Sequence, residues 1–295
     1  MTWKRVATAV VLIPFVLGLV LYAPTSWVAV ALGLVTILAM LEYFSLGDAI
    51  GHRAHRFWTA SCALLLVYLQ WTTAVESRLR LIGTWELRRQ VDHLNSRPEG
   101  VQGALFVFVL GLTVLTLWTR RPLVESLPAA GISSSALLLV AFPMSFAVRL
   151  HSESPWLLLF ALAITWANDT VAYFVGRAIG KHKLAPHLSP NKTWEGSLAG
   201  LIGSLLVGAL FSWEFVEPGS RVFLTLPQIL GMAALGNIAG QFGDLLESAY
   251  KRSAGVKDSG VLLPGHGGVL DRIDALILAI PVVWYYWTLM HSPVN

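Results

Sequence analysis

Nine apolar stretches, each near the length that a bilayer demands, run through the chain and leave room for few other folds. A hydrocarbon core about 30 Å thick needs roughly 20 apolar residues per helix. The stretches fall at about 6–23, 26–47, 57–75, 103–119, 131–149, 155–176, 196–216, 227–247 and 272–290. Composition points the same way: 13% of residues are charged, where a soluble domain carries about 25%. The expected fold is an all-α polytopic membrane protein of about nine transmembrane helices with cytoplasmic active-site loops. An N-terminal region, 1–150, holds five spans and a charged 76–102 loop; a C-terminal region, 151–295, holds four.

The first stretch follows Lys4 and Arg5, as a signal peptide would, but Pro24 directly follows Ala23, the only small-residue cleavage candidate. It reads as an uncleaved helix. The single cysteine, Cys62, lies in an apolar run and excludes both an internal disulfide framework and a multi-cysteine metal site. The net charge of +4 comes without a basic repeat interleaved with aromatics, so no nucleic-acid partner is expected. Loops meeting an anionic lipid surface account for it better.

Orientation follows from Lys and Arg in the short loops. With a cytoplasmic N-terminus, nine spans place Arg78, Arg80, Arg88, Arg89, Arg97, Arg149 and Arg221 outside and the other 14 of the 21 basic residues inside. Five of those seven sit in 76–97, where Leu79, Ile82, Trp85 and Leu87 among the charges suit a helix lying on the far leaflet; a different number of spans among the first four is the competing account. The same parity puts loops 177–195 and 248–271 on one side, and these loops hold nearly all the polar chemistry.

The earlier loop follows a span interrupted by Asn168 and Asp169. A carboxylate inside a span is costly and should face the protein interior or a polar cavity. A buried structural hydrogen-bond partner is the lesser, alternative reading of Asp169. At helical spacing Asp169, Tyr173, Gly176 and Gly180 share a face. Ser189, Pro190, Lys192, Thr193 and Glu195 then precede a new helix, whose capping hydroxyl and free N–H groups make a natural anion site.

In the later loop, Asp244, Ser248 and Lys251 share one helix face, and Glu247 can pair with Lys251 at i, i+4. Gly265, Gly267 and Gly268 around His266 let the backbone turn tightly and approach a ligand. Asp271 and Asp274 follow at i, i+3. For Asp274 a helix-start cap is an equal reading. Acidic residues on separate helices among Lys, Arg and Gly suit hard cations bound to phosphate oxygens, and no His or Cys cluster supports zinc.

The run Ser248, Lys251, Arg252, Lys257, Asp258, Gly260, Leu263, Pro264, His266, Gly267, Gly268, Asp271, Arg272, Asp274 resembles the defining pattern of the phosphatidate cytidylyltransferases, the CDP-diacylglycerol synthases. The stretch from Asp169 through the SPNKTWEG segment resembles them too, so the likeness covers about 155–290. Tyr250 stands where that pattern has an aliphatic residue or Phe. The resemblance implies attack of a phosphatidic acid phosphate oxygen on the α-phosphorus of CTP, giving CDP-diacylglycerol and pyrophosphate for phospholipid biosynthesis. It implies Mg2+, with a second cation such as K+, at Asp244 and Asp271.

Within that chemistry Asp244, Asp271, Lys251 and Lys192 are the expected catalytic residues. Asp169, Ser189, Ser248, Arg252, Lys257, Asp258, His266, Gly267, Gly268 and Arg272 are the expected substrate-binding ones. The resemblance further implies a multi-pass protein of the cell inner (plasma) membrane, working on CTP and a membrane lipid as a homodimer. Pairs such as Gly196/Gly200 and Gly236/Gly240 suit helix packing within or between subunits. A secondary transporter would place its polar residues at mid-membrane rather than in boundary loops. A CDP-alcohol phosphotransferase would carry a compact multi-Asp motif that this chain lacks.

Overall fold

In a computed structural model the described residues are 2–82, 99–118, 122–216, 223–262 and 267–291. Helices α1 (Thr2–Tyr22), α2 (Thr25–Ala49), α3 (Arg56–Ile82) and α4 (Glu99–Trp118) lead into a long rod. The rod comprises a 3-10 turn at Leu123–Glu125, α5 (Ser126–Ser135), a π-helical stretch Ala136–Ala141 and α6 (Phe142–Glu153). Four further helices follow: α7 (Pro155–Ile179), α8 (Trp194–Phe215), α9 (Leu226–Ser253) and α10 (Leu270–His291). Among the described residues eight helical segments are long and apolar enough to cross a membrane, and α1 adds a shorter apolar part, Val10–Tyr22. The protein is therefore a multi-pass, all-α membrane protein, and the expected spans correspond to these helices one by one. The charged segment expected to lie on the far leaflet falls largely outside the described residues.

Two elements depart from the expectation. The fifth span is longer than 131–149, reaching from Leu123 to Glu153. It widens into π geometry just before Pro143, whose ring has no N–H for the preceding turn. The loop after α7 is a small antiparallel hairpin, β1 (Lys183–Ala185) and β2 (Ser189–Thr193), with Lys183 opposite Thr193 and Ala185 opposite Ser189.

Packing comes from close fit, since lipid tails are as apolar as leucine. A central seam of Met40, Phe44, Leu137, Leu150, Phe160 and Ile164 is sealed from the surface. Helices α7 and α8 approach almost to backbone contact. A Cβ on Gly196 would stand 2.8 Å from the Ala172 carbonyl oxygen, and one on Gly200 would stand 2.3 Å from Asn168 Oδ1. Gly196 and Gly200 thus serve packing within one chain. The α9–α10 crossing is as tight at Gly243, where a Cβ would lie 2.4 Å from the Asp274 carbonyl oxygen. That closeness sets the carboxylates of both helices next to one another.

Candidate active site

Two charged clusters form at one end of α7, α9 and α10. The first surrounds a cavity of about 290 Å3 between α7, the hairpin, α8 and α9, whose wall includes Asp169, Tyr173, Lys192, Ser197 and Asp244. The hairpin carries Lys192 across to α9, where its Nζ lies 2.5 Å from Asp244 Oδ2. Its last residue, Thr193, caps α8 by accepting from Gly196 N at 3.2 Å. Both expected features of this segment, the cap and the cation beside it, are present. Glu195 does not hold Lys192. Its carboxylate accepts from His182 N at 3.2 Å and meets His182 Nδ1 at 2.7 Å.

Beneath the cavity runs a chain of neutral polar side chains, of which sequence reasoning had singled out Asn168 alone. Gln241 Nε2 donates to Asn168 Oδ1 at 3.2 Å and Asn237 Oδ1 at 2.7 Å, while Ser197 Oγ donates to Gln241 Oε1. Asn237 Nδ2 reaches Ser204 Oγ at 2.7 Å, and Ser204 donates to the Ile164 carbonyl oxygen at 2.7 Å. Asn168 Nδ2 donates to Asp169 Oδ1 at 3.1 Å and so ties this network to the cavity wall. The signal was present: Asn237, Gln241 and Asp244 follow i, i+4, i+7 and stripe one face of α9.

The second cluster is closed. Lys251 Nζ pairs with Glu247, as the i, i+4 spacing predicts, and with Asp271 Oδ1 at 2.6 Å. The other Asp271 oxygen accepts from Ser259 N at 3.0 Å and Gly268 N at 2.8 Å. Asp271 thereby clasps the two described ends of the loop between α9 and α10. Gly267 turns there at φ 79°, a conformation open to glycine. A third carboxylate was not anticipated. Glu42, far away on α2, accepts from Ser259 Oγ at 2.9 Å, Val269 N at 2.9 Å and Leu270 N at 2.8 Å. Its neighbour Tyr43 packs edge-to-face on Tyr250 with ring centroids 5.5 Å apart, which gives the unusual tyrosine at 250 its partner.

The remaining expected residues are dispersed. Arg252 braces the two loops together, its Nε donating to the Leu188 carbonyl oxygen at 3.2 Å and its guanidinium to Val256 O at 3.2 Å. Loops 177–195 and 248–271 therefore lie on one face, as span parity requires. Ser248 is buried on α9, Ser189 is half-buried at the start of β2, and Lys257, Asp258 and Arg272 are exposed. Asp274 is half-buried on α10 within the electrostatic reach of Asp244, Glu247 and Asp169. His266 lies outside the described residues.

Among the described residues no three His, Cys, Asp or Glu side chains form a ready-made metal site. Asp244 nonetheless shares the cavity wall with Asp169, a hard-oxygen pair suited to a hard cation that also binds phosphate. Asp271 differs, since Lys251 and two amides already engage its oxygens.

A model of the cytidylyltransferase family matches residues 3–290. A phosphatidate cytidylyltransferase of Haemophilus influenzae is 34% identical over 292 residues, covering 96% of this chain and 98% of that protein. One from Staphylococcus aureus is 44% identical over 144 residues, 49% of this chain and 54% of its own. Another, from Staphylococcus saprophyticus, is 47% identical over 133 residues, 45% and 49% respectively.

Proposed function

The chain belongs to the cytidylyltransferase family, and we propose that it joins CTP to phosphatidic acid in the membrane, forming CDP-diacylglycerol and pyrophosphate. In the reaction a phosphate oxygen of the lipid bonds to the α-phosphorus of CTP as the bond from that phosphorus to the β-bridging oxygen breaks. The observation that carries this reading is the cavity where Lys192, Asp169 and Asp244 meet, at the helix ends where a lipid headgroup would lie.

Bringing two polyanions together calls mainly for positioning and cationic stabilisation rather than a side-chain nucleophile. Lys192, held by Asp244, is placed to exchange that carboxylate for a phosphate oxygen. Lys251 sets Asp271, and Asp271 sets the glycine loop that would receive the nucleotide. Lys257 and Arg272, both exposed, would neutralise the remaining phosphate charge. Mg2+, with a second cation such as K+, is part of the proposal at Asp244 and Asp271. Asp244 and its neighbour Asp169 would fit such an ion once Lys192 turns from Asp244 to a phosphate oxygen, whereas at Asp271 a cation would take the place of Lys251. When bound, such an ion would neutralise phosphate oxygens and align them for displacement.

The site is proposed to face the cytoplasm, where CTP is found, in the inner (plasma) membrane, with the protein acting as a homodimer. The deciding assay uses the purified protein in mixed micelles with CTP labelled at the α-phosphate. Label should move into solvent-extractable lipid, and pyrophosphate should be released, only when phosphatidic acid is present. Pyrophosphate release independent of the lipid would refute the reading. For sidedness, Lys181→Cys and Lys257→Cys in a Cys62→Ala background should both resist an impermeant thiol reagent added outside intact cells. Labelling of either from outside overturns the cytoplasmic placement.

A further inference from the structure

The loop between α9 and α10 is shaped from two directions. Asp271 holds it from its own helix, but the partner on the other side comes from the opposite half of the chain. One oxygen of Glu42 accepts from Val269 N, and the other accepts from Leu270 N and Ser259 Oγ. The first two donors are free amides at the start of α10, so Glu42 caps that helix from outside it. Two glycines of the loop are small because this carboxylate occupies the space beside them. A Cβ on Gly260 would stand 2.5 Å from Glu42 Oε1, and one on Gly268 would stand 2.2 Å from Glu42 Oε2. Neither is among the positive-φ glycines, so what a side chain would meet there is Glu42, joined at Gly268 by Ser259 Oγ, rather than backbone strain.

We infer that Glu42 is a positioning residue for the nucleotide loop: a carboxylate around which Ser259, Gly260 and the Gly268–Leu270 turn are wrapped, so that the loop meets CTP already shaped. The inference rests on the function proposed above, and it assigns Glu42 no contact with the reacting atoms. Charge-assisted bonds to a carboxylate are stronger than neutral ones, and three converge here. An isosteric amide would turn an NH2 group toward N–H donors. Glu42→Gln is therefore disruptive despite its shape, and Glu42→Asp falls one methylene short.

Three measurements test it. In Glu42→Gln the KM for CTP should rise about tenfold or more while kcat stays within about threefold, since the loop is misplaced and the phosphate-transfer residues are not. Gly260→Ala should raise KM similarly in the native background, yet cost almost nothing further in Glu42→Ala, where the obstructing carboxylate is gone. Amide hydrogen exchange at Val269 and Leu270 should quicken at least tenfold in Glu42→Ala, with the amides of α7 unchanged.

The exchange measurement needs no turnover, so it judges Glu42 even if the cytidylyl-transfer reading fails. Full additivity of the Gly260 and Glu42 changes would overturn the inference. So would unaltered exchange, or a loss confined to folded yield at native KM.

Discussion

Two lysines at this end of the bundle, Lys192 and Lys251, make nearly the same kind of ion pair in opposite surroundings. Lys192 and Asp244 keep 26% and 28% of their side-chain surface open on a cavity wall. Lys251, Glu247 and Asp271 keep only 12%, 4% and 6%. An open pair can release its partner to a substrate at little cost, because water screens both states. A sealed pair cannot, because removing one member strands a charge in low dielectric. The structure thus separates an open pair from a sealed one; under the proposed function the first would exchange ligands and the second would hold the site in shape.

The sharpest way to break this comparison is to cut the clasp. Lys251→Gln or Asp271→Asn should destabilise the protein by roughly 3–5 kcal/mol, the usual cost of orphaning one member of a buried pair, and abolish turnover with it. Melting temperature in detergent reads this, and a native melting point with lost turnover would make Lys251 a substrate ligand instead of a brace.

Cutting the open pair should split the two readouts. Lys192→Gln and Asp244→Asn should each lower kcat/KM by about a hundredfold or more, as losing one electrostatic stabiliser does elsewhere. Stability should move far less than at the sealed pair, because about a quarter of each side chain, 26% and 28%, stays open to water. Equal losses of stability at Lys192 and Lys251 would erase the distinction.

A further variant probes the floor beneath the cavity. Gly200→Ala places a methyl against Asn168 and the α7 backbone, so it should cost about 1–3 kcal/mol as overpacking and lower turnover through the displaced Asp169. A calorimetric or fluorescence melt beside the turnover assay separates the two effects. The smallest effect is expected at Arg252. Arg252→Gln removes exposed bonds to Leu188 and Val256 and should shift stability by less than about 1 kcal/mol, with kcat/KM within about fivefold. A hundredfold loss would show that this guanidinium neutralises phosphate rather than bracing the loops.

Much of this architecture is legible before folding, for reasons that differ residue by residue. The spans are long and apolar, so their existence follows from the ruler of the bilayer. Glu247 and Lys251 meet because helical spacing alone brings them together. The hairpin left no such trace, since strands of three and five residues are too short to show a readable alternation. Lys192 could have paired with Glu195 by proximity in sequence, and only the fold reveals that the hairpin turns it to Asp244 instead. Glu42 was the harder case. A lone acid in an apolar stretch is a signal in principle, because lipid penalises it, but nothing local names a partner 217 residues away.

That distance has a consequence for how the protein is made. Synthesis and membrane insertion proceed from the N-terminus, so α2 is already in place while α9 and α10 are still to be translated. Glu42 waits in the bilayer until Ser259 and then Val269 emerge, and only then can the loop close around it. A chain interrupted before its last span has every earlier helix and no organised loop. The loop between α9 and α10 therefore acquires its shape at the end of the protein's biogenesis, and copies that stop before α10 lack it.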